Sequence, residues 1–146
     1  MNDLNDLDKE ILRTIATNSR ISLKELAGSV GLTSPSTGER LRRLEERGQI
    51  AGYTINVDLK KLGYTIVAMV RINPLPGKLR VVERMIIETP GIIECDKVTG
   101  EDCFFVRLCL RSLDDMDEAL EQFHDHAHTV TCIVKSQPIS RRLPPL

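Results

Sequence analysis

Residues 22–49, SLKELAGSVGLTSPSTGERLRRLEERGQ, contain two helix-start signals separated by a short turn. In the first signal, Ser22 and Glu25 have the spacing of a capping box, in which each side chain satisfies the backbone N–H of the other residue. That helix ends at Gly31, and Thr33 then caps the next helix. Two capped helices joined by a turn of three or four residues that contains glycine predict a helix-turn-helix.

The residues on either side of this stretch complete the pattern of a winged helix. An apolar stripe with spacings of three and four predicts a first helix from Asp6 to Thr17, capped by Asn5. The members of the stripe are Leu4, Leu7, Ile11 and Ile15. After the helix-turn-helix, Tyr53, Ile55 and Val57 alternate with small or polar residues, which predicts a strand that would form the wing.

From residue 63 onward the apolar pattern changes from helical spacing to short alternating strands. The predicted order is strand 64–72, helix 79–88, strands 92–98 and 103–110, a helix capped by Ser112 with Asp115, and strand 129–135. This βαββαβ order is that of a ferredoxin-like plait. Its two helices cover one face of the sheet, and an open apolar face is usually covered by a second subunit, so we expect a dimer.

The sequence therefore predicts two unlike domains in an α+β fold. Residues 1–58 form the winged helix-turn-helix domain, 59–63 the linker and 64–146 the ferredoxin-like domain. The chain of 146 residues has room for two such small modules but not for a large multidomain enzyme. The sequence contains no internal repeat, which excludes a solenoid.

The composition is that of a globular protein without a strong overall charge. Hydrophobic residues make up 41%, and 20 basic residues against 21 acidic ones give a net charge of −1. Any nucleic-acid binding must therefore use a local patch. The first residues are acidic, unlike a signal peptide, and Arg71 interrupts the most apolar stretch, so we expect a cytoplasmic protein without a membrane partner. The four cysteines have no metal-site spacing and are expected to be reduced thiols.

The helix capped by Thr33 is the predicted recognition helix, because a helix-turn-helix lays its second helix in the major groove. Hydroxyl groups cluster at its N-terminal end, where free N–H groups and the helix dipole favour a phosphate. Farther along, Arg40, Arg43 and Arg47 continue one helical stripe, and whether Arg40 reads a base or holds a phosphate stays open. The predicted DNA-binding residues are Ser22, Thr33, Ser34, Ser36, Thr37, Arg40, Arg43 and Arg47.

The alternative interpretation of the same helix is a solvated surface. Glu39 with Arg43 and Arg42 with Glu46 have the spacing of surface ion pairs, each worth a few tenths of a kcal/mol. Residues 1–60 also hold nine Lys and Arg and nine Asp and Glu, so this half has no net positive charge. The agreement between the three helices, their caps and the wing favours DNA binding.

Several short motifs resemble the Lrp/AsnC, or feast/famine, transcriptional regulators over nearly the whole chain. They are Leu26-Ala27, Gly31-Leu32-Thr33, Arg40-Leu41, Leu44-Glu45, Gly48-Gln49-Ile50, Lys61-Leu62-Gly63, Val98-Thr99-Gly100 and Thr129 to Val134. The resemblance implies a sequence-specific regulator that binds double-stranded DNA. It also implies an ACT-like, or RAM, plait that dimerises through its sheets and assembles dimers into rings, often octamers.

The resemblance further implies an amino acid or related metabolite as effector, bound by the loop after the second strand of the plait. The predicted effector-binding residues are Gly100, Glu101, Asp102, Cys103, Thr129 and Thr131. Cys103 stands where many members have an aspartate that accepts a hydrogen bond from the ammonium group of the effector, and a thiol does this poorly. Three alternatives remain open for this pocket: Glu101 or Asp102 replaces the aspartate, the pocket binds another ligand, or it stays empty. Thr129 and Thr131 can also be ordinary strand residues without a role in binding.

No catalytic, metal or cofactor site is predicted. His124, His126 and His128 have metal-ligand chemistry, but no cysteine or acidic residue in sequence completes a tetrahedral set. Phosphate-loop, GxSxG and HExxH motifs are absent, and the acidic loop around Cys103 would raise the pKa of its thiol. We expect a regulator and not an enzyme. The alternatives are a siroheme-decarboxylase-like enzyme, which this architecture also resembles, and an architectural DNA-binding protein without an effector.

Overall fold

The computed structural model describes residues 4–100 and 103–146. In these ranges the elements are α1 (Asp6–Thr17), α2 (Leu23–Ser29), α3 (Ser34–Glu46), β1 (Ile66–Pro74), α4 (Leu79–Glu88), β2 (Ile92–Lys97), β3 (Phe104–Leu110), α5 (Asp114–Glu121) and β4 (Ala127–Ile133). They form two compact units. The first unit runs through Asn56 and includes Pro138–Leu146, and the second is Val57–Gln137.

The first unit is a three-helix domain whose helices start at the predicted caps. The side chain of Asn5 accepts a hydrogen bond from the backbone N–H of Asp8 (2.9 Å), and Ser22 and Glu25 form the complete capping box. The apolar stripes of the three helices meet in one core, which contains Ile11, Leu12, Leu26, Val30 and Leu44. The helix-turn-helix prediction is confirmed.

The prediction of a wing strand is wrong for the isolated chain. Residues 51–58 are neither helix nor strand, and Tyr53, Ile55 and Val57 are exposed, Ile55 to 82%. A strand needs a neighbouring strand to satisfy its backbone N–H and C=O groups, and none of the described strands pairs with this segment. The alternating pattern therefore predicted a strand that is not formed among the described residues.

The second unit is the predicted βαββαβ plait. Its sheet has the order β2-β3-β1-β4, and every neighbouring pair is antiparallel. Ala68, Val70 and Ile72 of β1 are fully buried and pack in one core with residues of β3, α4 and α5. Ser112 Oγ accepts from the backbone N–H of Asp115, and Asp115 Oδ2 accepts from that of Ser112, so the predicted hydrogen bonds are present, but α5 begins one residue later, with Leu113 as its N-cap.

Strand β4 begins two residues earlier than predicted. It starts at Ala127, which pairs with Pro74 at the end of β1, and it ends at Ile133. The histidine-rich segment before Thr129 had suggested a helix end, but pairing with β1 draws Ala127 and His128 into the sheet. Strand boundaries depend on such distant pairing, which local spacing does not encode.

The sheet presents the alternate residues of its strands on the face opposite the core. Met69 pairs with Arg107 and Cys132, and the neighbouring Arg71 pairs with Phe105 and Val130. These residues alternate with the buried set, so they belong to the other face. That face mixes apolar, basic and thiol side chains.

Candidate nucleic-acid interface and effector region

The start of α3 is a rigid, hydroxyl-rich helix end. Thr33 Oγ1 accepts from the backbone N–H of Ser36 (3.4 Å) and donates to Ser36 Oγ (3.0 Å). Ser36 and Thr33 are exposed, and Ser34 is half-buried. The first turn of a helix has N–H groups without intrahelical partners, so this end offers both hydroxyl and backbone donors to an anion.

Thr37 lies inside the domain and not on this surface. Its exposed fraction is 0%, and its hydroxyl donates to the backbone carbonyl of Thr33 at 3.0 Å. A side chain without accessible surface does not reach DNA, so the predicted contact by Thr37 is wrong. The residue instead fixes the first turn of α3 from within.

Ser22 is exposed, but its hydroxyl is engaged in the cap of α2. It donates to Glu25 Oε2 at 2.6 Å and accepts from the backbone N–H of Glu25 at 3.2 Å. The hydroxyl and the backbone N–H of Ser22 both donate to Glu25 Oε2, and these two hydrogen bonds stabilise the carboxylate and lower the pKa of Glu25. In this structure the hydroxyl of Ser22 therefore serves as the N-cap of α2.

The arginine stripe lines a small cleft between α1 and α3. This arginine cleft has a volume of about 120 Å³, and it is lined by Asn5, Asp8, Arg40, Arg43, Leu44, Arg47 and Gln49. Arg40 Nη1 lies 2.8 Å from Asp8 Oδ1 and 3.3 Å from Asn5 Oδ1. Three guanidinium groups against one carboxylate leave the cleft with an excess of positive charge.

The three arginines differ in how far they are already paired. Arg40 is held by Asp8, and Arg43 Nε lies 3.2 Å from Glu39 Oε1. The side chain of Arg47 makes no hydrogen bond or ion pair with the residues that the structure describes. Arg47 and the exposed part of Arg43 are thus the side chains most available to a phosphate.

The predicted surface ion pairs are also present on α3. Arg42 contacts both Glu39 and Glu46, and the hydrogen bond from Arg42 lowers the pKa of Glu39. Arg42 does not line the arginine cleft, whereas Arg43, which also pairs with Glu39, does. The interpretation as a solvated surface therefore describes the side of α3 that carries Arg42.

Asp8, Asn5 and Gln49 were not among the predicted site residues. Asp8 is buried on α1, three and four residues before Ile11 and Leu12, so it lies near the apolar stripe of that helix. A carboxylate in such a position usually has a cationic partner, because an unpaired buried charge is costly. That signal could have indicated the ion pair, although not the identity of Arg40 as the partner.

The predicted effector residues that the structure describes, Gly100, Cys103, Thr129 and Thr131, lie toward one end of the plait sheet. Phe104, which follows Cys103, pairs with Ile72, and Ile72 pairs with Thr129 on its other side. Phe104 and Thr129 therefore lie two strand spacings apart, a distance of about 10 Å. Thr131 pairs with Val70, two residues farther along the sheet. Glu101 and Asp102 lie outside the described residues.

Cys103 contributes its backbone and its packing to the loop. Its carbonyl accepts from the backbone N–H of Val98 at 2.9 Å, and its half-buried side chain packs against the plait core. Gly100 has φ of +126°, a conformation that favours glycine. The hydrogen bond between the backbones of Val98 and Cys103 thus closes the turn, and residue 103 offers a thiol in place of a carboxylate.

The histidines do not form a metal centre with other residues of the described part. Within residues 4–100 and 103–146, no three His, Cys, Asp or Glu side chains are placed to share a metal ion. In the same ranges, no helix has the length and apolar character needed to cross a bilayer.

A helix-turn-helix whose second helix carries an arginine stripe, followed by a βαββαβ plait, defines a DNA-binding transcriptional regulator of two domains. Residues 4–51 match the winged helix-turn-helix DNA-binding family model, and residues 67–144 match the model of the Lrp/AsnC ligand binding domain. The chain belongs to the Lrp/AsnC family of transcriptional regulators. The resemblance seen in the sequence and the predicted fold class are both confirmed.

Relatives match along almost their whole length. The regulator LrpC of Bacillus subtilis is 30% identical over 92% of this chain and 93% of its own. Its solved structure has a TM-score of 0.89 and covers 95% of this chain and 99% of the other. A feast or famine regulatory protein of Mycobacterium tuberculosis, solved in complex with L-methionine, is 26% identical, with a TM-score of 0.80 and coverage of 97% and 98%.

Proposed function

We propose that this regulator binds double-stranded DNA through the arginine cleft and the adjoining N-terminal end of α3. The observation that carries the proposal is the convergence of Arg40, Arg43 and Arg47 on one cleft. The contact set is Thr33, Ser34, Ser36, Arg40, Arg43 and Arg47. Thr37 is left out because it is buried, and Ser22 supports the surface as the cap of α2.

Each part of this surface has a different role. The hydroxyls and free N–H groups at the start of α3 are suited to one backbone phosphate, and Arg47 at the far end is suited to another. Asp8 holds one nitrogen of Arg40, so the rest of that guanidinium is presented in a fixed direction. A fixed guanidinium is the usual reader of guanine in the major groove.

The test compares two arginines on opposite faces of α3. A labelled duplex, selected from pooled genomic fragments that include the gene's own promoter region, is titrated with wild type, Arg47→Ala and Arg42→Ala. We expect Arg47→Ala to weaken binding on all sequences and to reduce the slope of log affinity against log salt by about 0.9, one phosphate contact. Arg42→Ala is the control, because Glu39 and Glu46 already neutralise its charge. Equal affinities for both variants would refute this interface.

We also propose a cytoplasmic homo-oligomer built on the open face of the plait sheet, with dimers assembling into a larger ring such as an octamer. Met69, Phe105 and Val130 on that face support a subunit contact, since exposed apolar sheet faces are normally covered. Several winged helices in one ring raise the effective concentration of each for neighbouring sites. Light scattering that gives the mass of a single 16.4 kDa chain would contradict the proposal.

The proposed effector is a small amino-acid-type metabolite bound by the loop 100–103, with Thr129 at the same sheet end. The M. tuberculosis relative in complex with L-methionine supports this ligand class for the family fold. An effector changes DNA binding only if it binds one assembly more tightly than another. The basic surface of α3 favours such a regulator over an enzyme of the siroheme-decarboxylase type. A chain with a DNA interface but no ligand would be architectural.

A further inference from the structure

A second cleft lies at the end of the plait sheet opposite the loop 100–103. This Arg111 cleft has a volume of about 440 Å³ and lies between the C-terminal end of α4, one face of α5 and the end of β3. Its lining includes Tyr64, Glu88, Gly91, Arg111, Glu118 and Gln122. The register separates the two ends: Leu110 pairs with Ile66, whereas Phe104 pairs with Ile72. Six residues along a strand correspond to about 20 Å.

Arg111 is preorganised in this cleft, and the carboxylate of Asp115, which also lines the cleft, lies next to it. Its guanidinium carbon lies 4.7 Å from the centroid of the Tyr64 ring, and its backbone N–H donates to Asp115 Oδ2 at 3.1 Å. No carboxylate among the described residues forms an ion pair with it. A Cβ on residue 63 would lie 2.7 Å from Arg111 Nη1, so Gly63 leaves room for this position of the side chain. A stacked guanidinium with free donors is suited to a carboxylate.

Two uncommitted carboxylates line the same cleft. Glu88 ends α4 and Glu118 lies on α5, and neither side chain has a hydrogen bond or ion pair within residues 4–100 and 103–146. The C-terminal end of α4 adds the negative end of a helix dipole, which favours a cation. Gln122, which also lines the cleft, donates from Nε2 to the hydroxyl of buried Thr89 at 3.1 Å, and this hydrogen bond holds the two side chains together.

We propose that the Arg111 cleft binds a small molecule that carries one carboxylate and two amino groups, the chemistry of a basic amino acid. Arg111 takes the carboxylate, and Glu88 and Glu118 take the two ammonium groups. The volume is within the usual range for small-molecule sites, about 300–1,000 Å³. Binding at this cleft is independent of the DNA interface; only an effect of the ligand on DNA binding rests on the proposed function.

The test uses L-lysine and two analogues, each lacking one group. Calorimetric titration of the full-length oligomer compares L-lysine with cadaverine, which lacks the carboxylate, and L-norleucine, which lacks the side-chain amine. We expect L-lysine to bind most tightly. Arg111→Gln should weaken L-lysine about tenfold or more and leave cadaverine nearly unchanged, since a charged hydrogen bond contributes about 1.5–3 kcal/mol.

The carboxylate side is tested by Glu118→Gln with Glu121→Gln as its matched control. Both residues are exposed on α5, but Glu121 does not line the cleft. Glu118→Gln should reduce the preference for L-lysine over L-norleucine, and Glu121→Gln should not. Absence of L-lysine binding, equal binding by all variants, or loss of binding in Cys103→Ser but not in Arg111→Gln would each overturn the proposal. DNA affinity, measured on the same preparations, shows separately whether the DNA interface holds.

Discussion

Arg40 Nη1 lies 2.8 Å from Asp8 Oδ1, so an ion pair fastens the recognition helix α3 to the first helix α1. The two side chains are only 29% and 12% exposed, which distinguishes this pair from the surface pairs of the same helix. Asn5, which caps α1, also accepts from Arg40. The cap of one helix and the orientation of an arginine on another are therefore determined together.

Asp8→Asn should destabilise the first unit and loosen Arg40. The substitution leaves a half-buried guanidinium without its carboxylate, which costs about 1–3 kcal/mol of unfolding free energy. Thermal or urea unfolding followed by circular dichroism measures the loss. Asp6→Asn is the control, because Asp6 pairs with Lys9 only at the surface (3.6 Å) and should shift stability by less than about 0.5 kcal/mol.

The same variant tests the orientation of Arg40. If Asp8 aims Arg40 at a base, Asp8→Asn lowers the ratio of specific to random DNA affinity while the folded protein keeps its nonspecific binding. A larger affinity on every sequence, with the ratio unchanged, would instead indicate that Asp8 merely neutralises charge in the arginine cleft.

Thr37 and Ser36 are neighbours with opposite expected roles. Thr37→Val removes the buried hydrogen bond to the carbonyl of Thr33 and should cost about 0.5–1.5 kcal/mol of stability, with little change in DNA affinity for folded protein. Ser36→Ala removes an exposed hydroxyl at the helix end and should weaken DNA binding. Fluorescence anisotropy with one duplex, together with unfolding curves, separates the two effects, and the reverse assignment would contradict the interface.

The capping box of α2 predicts a pH-dependent contribution to stability. Hydrogen bonds from Ser22 lower the folded-state pKa of Glu25, so this contribution is present above the unfolded pKa, about 4.3, and is lost as pH falls through the lower folded value. Ser22→Ala removes the larger part of it, the hydrogen bond from the hydroxyl, and keeps the one from the backbone N–H of residue 22. The difference in melting temperature between wild type and Ser22→Ala should therefore be larger at pH 7 than at pH 3, and a constant difference would show that the carboxylate is not involved.

The helices and their caps were predictable from sequence because their signals are local. Asn5, Ser22 and Thr33 each act within three residues, and the structure contains all three caps. The segment around Ile55 shows the limit, since its alternation predicts a strand but cannot supply the neighbour that a strand requires.

The two clefts were not predictable because distant parts of the chain form them. Asp8 and Arg40 are 32 residues apart, and the Arg111 cleft joins Tyr64, Glu88 and Glu118 from three separate parts of the chain. Local spacing assigned Thr37 to the DNA surface, and only its burial shows that it lies inside the domain.

Cys103→Asp tests whether the loop 100–103 binds the ammonium group of an effector. The substitution supplies the charged acceptor that a thiol lacks, so affinity for L-methionine should rise about tenfold or more if the ammonium group lies at this position. Calorimetric titration of wild type, Cys103→Asp and the neutral Cys103→Asn measures the effect.

The neutral variant separates charge from shape, because asparagine has nearly the size of aspartate and accepts a hydrogen bond without a negative charge. Cys103 is half-buried against the plait core, so melting curves must first show that each variant is folded. A gain with aspartate but not with asparagine would establish an ammonium contact at residue 103. No gain in any folded variant would place the effector of this regulator elsewhere, and the Arg111 cleft offers the complementary charges at the far end of the same sheet.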